Sequence, residues 1–208
     1  MNLFLSPLLG FSIAFISVVP PGLINMTAAK ISAQEGKGMA LSFAIGASAI
    51  IFIQTFIAIL FSRLITNNVQ FVSILQEIGI FVFLVLSCYF FYFAKKPKKI
   101  KASPKVKGKS NRFFLGVFLS ALNILPIPFY VFLSMSLAAS GYLDFDKISI
   151  FTFVLGVVCG SFAVFYLYIV AFKKIERRAD FILRNINNII GSVTALMALI
   201  TLIKLIYK

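Results

Sequence analysis

The sequence predicts an all-α integral membrane protein of six transmembrane helices. Hydrophobic residues make up 61% of the 208 residues and charged residues only 12%, which leaves too little polar surface to coat a water-soluble globule. The mean hydropathy is correspondingly high, at +1.02. Apolar stretches of about 20 residues, the length that crosses roughly 30 Å of hydrocarbon as a helix, recur along the chain. Six such segments are predicted, at about 3–29, 39–62, 71–94, 113–139, 148–172 and 186–206.

The first segment is predicted to be a retained helix that breaks in its middle. No basic residue precedes Leu3, and the apolar run exceeds the about 7 to 15 residues of a signal-peptide core. Pro20 and Pro21 lack a backbone N–H and their rings clash with the preceding turn, so we expect a break around 17–22. Freed backbone is tolerated in hydrocarbon only against protein or a water-filled cavity. The break therefore either serves packing alone or lines a path for a polar solute.

The second and third segments each contain a polar residue of interest. Gln54 lies in the second, and Glu77 in the third is the only one of six acidic residues that falls within a predicted span. Partial removal from water raises the pKa of a carboxyl group towards neutrality, which makes Glu77 the candidate for proton coupling. The alternative places Glu77 at the membrane surface, solvated or paired with Arg63.

The distribution of basic residues predicts the topology. Sixteen of the 20 Lys and Arg residues fall in the connections between segments 1 and 2, 3 and 4, and 5 and 6. Such residues accumulate in cytoplasmic loops, so we predict a multi-pass protein of the plasma (inner) membrane with both termini outside. The stretch 95–112 is predicted to be a basic cytoplasmic loop between two three-helix repeats, 1–94 and 113–208. The net charge of +14 then needs no nucleic acid to explain it, and the lipid bilayer is the expected surrounding.

The fourth and fifth segments repeat features of the first and second. The stretch "GFSIAFISVVPPGLINM" from Gly10 aligns without a gap with "GVFLSALNILPIPFYVF" from Gly116, and "SFAIG" ending at Gly46 resembles "TFVLG" ending at Gly156. Because a half with an odd number of spans inverts the half that follows it, we predict two inverted three-helix repeats. The first and fourth helices are predicted to be broken. The alignment pairs Pro20 with Pro126 and Gly22 with Pro128.

Matched broken helices in an inverted repeat are typical of secondary transporters, whose solute site lies near the bilayer midplane. Helix N-termini freed at a break attract a carboxylate, and unwound carbonyls accept hydrogen bonds from an ammonium or hold an ion. Amide side chains beside a break are candidate ligands, although an isolated Asn or Gln also serves to join helices. The predicted substrate-binding residues are Pro20, Pro21, Gly22, Asn25, Gln54, Asn123, Pro126 and Pro128.

At these residues the chain resembles the LysE/RhtB group of amino-acid exporters. That family carries Pro-Gly-Pro in its first segment, an Asn two residues later and a Gly-basic element beyond, and its second half has a Gly followed seven residues later by Asn-Pro. Size, six spans and the long basic central loop agree, so the resemblance covers essentially the whole chain. The residues that match are Pro21, Gly22, Asn25, Gly36, Lys37, Gly116 and Asn123, with Leu23 at the position of the second proline.

The resemblance implies export of amino acids or similar small metabolites, driven by the proton gradient. This chain departs from the family pattern in having Leu23 for the second proline and Ile124 for the proline of Asn-Pro. Gln54 and Thr55 occupy the region in which many relatives place an acidic residue. A cationic substrate needs a buried carboxylate to offset its desolvation. We therefore expect a neutral or zwitterionic amino acid rather than lysine or arginine.

Other classes of function lack the residues they need. The chain has no histidine and two cysteines without a CxxC spacing, so we expect no metal site, no cofactor and no enzymatic activity. The small residues Gly156, Gly160 and Ala163 permit close helix approach, either within the monomer or in a homodimer. The alternative to an exporter is a non-transporting membrane partner or structural subunit, in which the break serves packing only.

Overall fold

The computed structural model describes residues 5–66 and 108–171, together with isolated positions at 84–85, 87–88, 92, 192, 195–196 and 199. The described residues form helices and no strand, as the sequence predicts. The predicted third and sixth segments lie outside the described residues except for those isolated positions, and Glu77 and 95–107 of the basic loop lie outside them altogether. The six helices are α1 (Leu5–Val18), α2 (Leu23–Glu35), α3 (Lys37–Thr66), α4 (Lys109–Leu122), α5 (Pro126–Ala139) and α6 (Lys147–Ala171).

Contacts between Cα atoms divide the chain into two compact units. The first comprises Met1–Leu64 with Ile100–Glu176, and it contains all six helices apart from the last two residues of α3. The second comprises Ile65–Lys99 with Arg177–Lys208, of which the described positions are helical and few. This grouping follows contacts, whereas the predicted boundaries of the two repeats follow the sequence and stay a prediction.

Two helices, α3 and α6, are long and apolar enough to cross a membrane. They correspond to the predicted second and fifth segments. Large apolar side chains remain exposed along one face of α3 at helical spacing, as expected of a helix whose outer face meets lipid rather than water. The exposed stripe comprises Ile45, Ile53, Ile57, Phe61 and Leu64.

Two further predicted spans, the first and the fourth, each contain a pair of shorter helices. Residues 19–22 separate α1 from α2, and the two helices form a bend of 77°. Residues 123–125 separate α4 from α5, with a bend of 63°. Both breaks contain or adjoin prolines. A helix cannot continue through a proline, so the preceding helix ends there, whereas the first turn of a new helix tolerates one. By length and composition, each bent pair is either one broken span or a re-entrant loop.

The helix α1 packs in parallel against α6 through glycines that let the two backbones touch. A Cβ atom at Gly156 would lie 2.2 Å from the carbonyl oxygen of Pro7, and one at Gly160 would lie 2.4 Å from that of Phe11. Real Cβ atoms essentially never come so close, so only glycine fits at either position. Both glycines therefore serve packing within the monomer.

The helices α3 and α4 are in parallel contact of the same kind. A Cβ atom at Gly46 would lie 2.1 Å from the carbonyl oxygen of Phe113, and one at Gly116 would lie 2.1 Å from that of Phe43. Small residues are the usual means of bringing helices together in a membrane, where apolar side chains gain little by leaving lipid. The register of both helix pairs is thus fixed by backbone contact.

A buried ion pair joins α2 to α4. Arg112 Nε donates a hydrogen bond of 2.7 Å to Glu35 Oε2, and Arg112 Nη2 donates to Glu35 Oε1. The Arg112 side chain is fully buried and the Glu35 side chain is 20% exposed. Sequence reasoning ended the first span near residue 29 and assigned Glu35 to a connection, but α2 continues through Glu35. The bidentate geometry makes the pair a specific tie between helices that are far apart in sequence.

Candidate functional site

The first break frees carbonyl groups at the end of α1, and Asn25 satisfies two of them. Its Nδ2 donates hydrogen bonds to the carbonyl of Val18 at 2.5 Å and to that of Pro20 at 3.0 Å. The Asn25 side chain is 4% exposed. A buried carbonyl without a donor is costly, so Asn25 stabilises the break that the prolines create.

Tyr168, on α6, supplies the donor for a third carbonyl at this break. Its hydroxyl donates a hydrogen bond of 2.8 Å to the carbonyl of Val19. Tyr168 is buried. Val18, Val19 and Pro20 therefore all have their carbonyl groups satisfied by side chains, one of them from a distant helix.

The backbone on the other side of the first break presents donors. Gly22 precedes α2 in an extended conformation and no side chain caps the helix there. The first N–H groups of an α-helix have no partner within the helix and carry its partial positive charge. The space beside Gly22 is open, and Gly22 and Leu23 are exposed, whereas Pro21 is buried. The start of α2 is therefore accessible to a ligand that accepts hydrogen bonds.

At the second break, Gln54 of α3 holds the end of α4. Its Nε2 donates to the carbonyl of Ser120 at 3.2 Å and to that of Asn123 at 3.0 Å. Asn123 is the C-cap of α4. The Gln54 side chain is only 6% exposed. Its Oε1 and the hydroxyl of Ser120 are buried and have no hydrogen-bond partner among the described residues.

The start of α5 offers few donors, in contrast to the start of α2. Pro126 and Pro128 lack N–H groups, and the N–H of Ile127 is already bonded to the carbonyl of Ile124 at 3.1 Å. The second break therefore presents mainly acceptors, at Gln54 and at the end of α4. The two breaks differ in polarity.

Two side chains that lie close together connect the two bent pairs. They are Tyr130, in the second turn of α5, and Ser17, near the end of α1. Tyr130 is buried. The segments that flank the two breaks therefore lie near each other.

The described part of the site is electrically neutral. No charged residue occurs in 5–29, 38–62, 113–143 or 148–171, which include both breaks and the residues that hold them. Among the described residues, no group of His, Cys, Asp and Glu side chains could hold a metal ion. Amides, hydroxyls and backbone groups are what a ligand would meet.

The structure groups most of the predicted site residues at the two breaks. Asn25 lies with Pro20 at the first, and Gln54 lies with Asn123 at the second; Glu77 lies outside the described residues. Sequence reasoning gave no role to Tyr130 and Tyr168 and did not single out Ser120. No local motif marks these three, since tyrosine and serine are common and their partners are remote in sequence. The predicted residues are Pro20, Pro21, Gly22, Asn25, Gln54, Asn123, Pro126 and Pro128.

Comparison with protein families identifies the chain. The family model described as LysE type translocator matches residues 15–205, which include both breaks and all six helices in whole or part. Searches of curated proteins and of solved structures gave no match. The chain belongs to the LysE type translocator family, which confirms the resemblance drawn from the break motifs, and it is a transport protein of the membrane.

Proposed function

We propose that this protein is a secondary active transporter that exports neutral or zwitterionic amino acids, or similar small metabolites, by alternating access. The observation that carries the proposal is the pair of helix breaks, whose carbonyls are held by side chains: Tyr168 of α6 with Asn25 of α2 at the first break, and Gln54 of α3 at the second. Breaks of this kind provide backbone groups for a polar solute inside a membrane. Family membership gives the transport function, and the breaks indicate where the solute binds.

The glycine contacts support the inverted repeat. Gly10 and Gly116 are aligned in the sequence, and each meets a phenylalanine carbonyl and a backbone N–H of a helix from the other half. In both cases that carbonyl lies three residues before, and that N–H one residue after, the glycine that ends the aligned "SFAIG" or "TFVLG" stretch. Two helix pairs with the same register at aligned residues are what a repeated unit produces. We therefore propose that 1–94 and 113–208 are related repeats joined by the loop 95–112.

The polarity of the breaks supports a zwitterionic substrate. The uncapped start of α2 presents backbone N–H groups, which are donors for a carboxylate. The carbonyls of Val18, Val19 and Pro20 at the same break already have internal donors, so the break presents donors rather than acceptors there. The second break presents acceptors for an ammonium group. A lysine or arginine side chain would carry a further positive charge, and 5–29, 38–62, 113–143 and 148–171, which include both breaks, contain no carboxylate to offset its desolvation.

Coupling and topology complete the proposal. We assign proton coupling to Glu77, and we place the protein in the inner membrane with both termini outside, which makes the basic loop cytoplasmic. The helix α1 runs parallel to α6, and α3 runs parallel to α4, as expected if successive spans alternate in direction across the membrane. A homodimer is also proposed, without an assigned surface.

The alternative is a non-transporting membrane partner. It is favoured by one observation, that the carbonyls of Val18, Val19 and Pro20 at the first break are satisfied internally and need no solute. Transport measurements separate the two functions directly.

The test uses purified protein in proteoliposomes loaded with a mixture of labelled amino acids, with and without an imposed proton gradient. We expect gradient-dependent loss of neutral amino acids and retention of lysine and arginine. The triple variant Pro20→Ala, Pro21→Ala and Gly22→Ala should allow α1 to run into α2 and abolish efflux while membrane insertion is preserved. Gly38→Ala is the control, since the added methyl group would make only ordinary contact with Lys109, at 3.7 Å. Full efflux by the triple variant would refute the role of the break, and no efflux by the natural protein would favour the alternative.

A further inference from the structure

We propose that Gln54 and Ser120 form the pole of the site that binds the ammonium group of the solute, so that the protein selects solutes with a primary ammonium. This inference rests on the proposed function and deepens it. It starts from two buried acceptor atoms at the second break, Gln54 Oε1 and Ser120 Oγ, that have no partner among the described residues.

The orientation of the Gln54 amide is determined by its neighbours. Nε2 lies within hydrogen-bond distance of the carbonyls of Ser120 and Asn123, and the opposite orientation would place Oε1 against two carbonyl oxygens. Gln54 therefore directs its oxygen away from these two carbonyl oxygens, with its donors already used. A buried acceptor in this state favours any conformation in which a donor reaches it.

The surroundings of these two atoms attract a positive group. The end of a helix carries partial negative charge, and Ser120 lies three residues before Asn123, the C-cap of α4. The neighbouring start of α5 has prolines at its first and third positions, so it offers little to an anion. An ammonium has three donors and no acceptor, which matches a site made of a carbonyl oxygen, a hydroxyl and a helix C-terminus.

The substrate class follows from what this pole lacks. No carboxylate occurs in 5–29, 38–62, 113–143 or 148–171, which include both breaks, so the charge of the bound ammonium is balanced best by a carboxylate of the solute itself. An α-amino acid satisfies this condition. A quaternary ammonium has the same charge but no N–H to donate, and an α-hydroxy acid has no positive charge.

The experiment measures binding to the purified full chain in detergent, by isothermal titration with three solutes of one side chain. The solutes are the neutral α-amino acid that is best exported, its N-trimethyl betaine and its α-hydroxy acid. We expect the amino acid to bind at least about tenfold more tightly than either analogue, the effect of one hydrogen bond to a charged group.

Two variants then localise this preference. Ser120→Ala removes the hydroxyl but leaves the backbone carbonyl that anchors Gln54, so it should weaken binding of the amino acid by about tenfold and leave binding of the betaine unchanged. Gln54→Met removes the amide at similar volume and also takes the donor from the carbonyls of Ser120 and Asn123, so it should weaken binding of the amino acid by at least about tenfold. Ser161→Ala is the matched control, because Ser161 is a fully buried serine of α6 whose hydroxyl also has no partner among the described residues.

The outcomes are distinguishable. Equal losses for amino acid and betaine in Ser120→Ala, or the same selective loss in Ser161→Ala, would mean that Ser120 acts only on packing and would overturn the inference. Equal binding of all three solutes by the natural protein would overturn it while leaving export of amino acids in place. Binding of none of them would refute the proposed function and this inference together.

Discussion

The contact between α3 and α4 predicts a large effect from one methyl group. In Gly116→Ala the new Cβ would lie 2.1 Å from the carbonyl oxygen of Phe43, whereas ordinary contacts begin at 3.4 Å. The obstacle is backbone, so no side-chain rotation relieves it and the helices must separate by about 1 Å. Overpacking of this kind costs typically about 1–3 kcal/mol. For a chain of this size that corresponds to a melting temperature lower by about 2 to 12 °C, at about 2–4 °C per kcal/mol.

The measurement is thermal unfolding of the purified protein in detergent, with efflux measured in parallel. We expect Gly116→Ala to melt several degrees lower and to lose transport, because separating α3 from α4 also pulls Gln54 from the carbonyls it holds. The control is Gly38→Ala, in which the nearest atom is the flexible end of Lys109 at 3.7 Å. Alanine is a better helix former than glycine, so this control should melt at the same temperature or higher. If Gly116→Ala melted at the same temperature as the natural protein, the backbone contact would be refuted and the main support for the repeat would be lost.

Three further predictions follow from individual contacts. Tyr168→Phe removes one hydroxyl and leaves a break carbonyl without its donor, so efflux should fall while expression is unchanged; Tyr166→Phe, on the exposed face of α6, should leave efflux intact. Glu35→Gln removes the negative charge that the buried guanidinium of Arg112 faces; because loss of one partner of such a pair is destabilising, the melting temperature should fall. At Asp146, the side chain of Ser149 and backbone N–H groups at the start of α6 lower the pKa of the carboxyl below its ordinary 3.8. The resulting stability is present above pH 3.8 and is lost as the pH falls below it through the folded value, so melting curves from pH 6 to about 3 should show a dependence that Asp146→Asn removes.

The positions of the breaks could be predicted from the sequence because they depend on local residues. The side chains that hydrogen-bond to the freed carbonyls could not, because they come from remote parts of the chain. Pro20 and Pro126 forbid a continuous helix wherever they lie, so the interruptions could be read from the sequence. The donors that satisfy the freed carbonyls come from elsewhere: the Tyr168 hydroxyl reaches a residue 149 positions away. Seven tyrosines occur in the chain, and nothing in the apolar sequence around Tyr168 marks it as the one that reaches the break.

The candidate ligands were predictable as residue types but not in their roles. Asn25 and Gln54 were named because amides are costly in lipid, and both are indeed buried at the breaks. Sequence alone could not tell that their NH₂ groups are used to hold backbone carbonyls. The distinction matters for Gln54, because anchoring its nitrogen is what leaves its oxygen for a ligand. The fold could be predicted further than the site, since span length and composition suffice for helices whereas a site depends on which atoms remain unpaired.

The way in which the breaks are held bears on how such a protein could move. The end of α1 is hydrogen-bonded to Tyr168 of α6, and the end of α4 is hydrogen-bonded to Gln54 of α3. The same helix pairs are locked together by glycine contacts with backbone. A structural change at the first break would therefore move α6, and one at the second break would move α3. Closely packed helix interfaces of this kind do not deform gradually. Solute binding at the breaks would thus act directly on α3 and α6, which gives an exporter a physical link between recognising its solute and rearranging its spans.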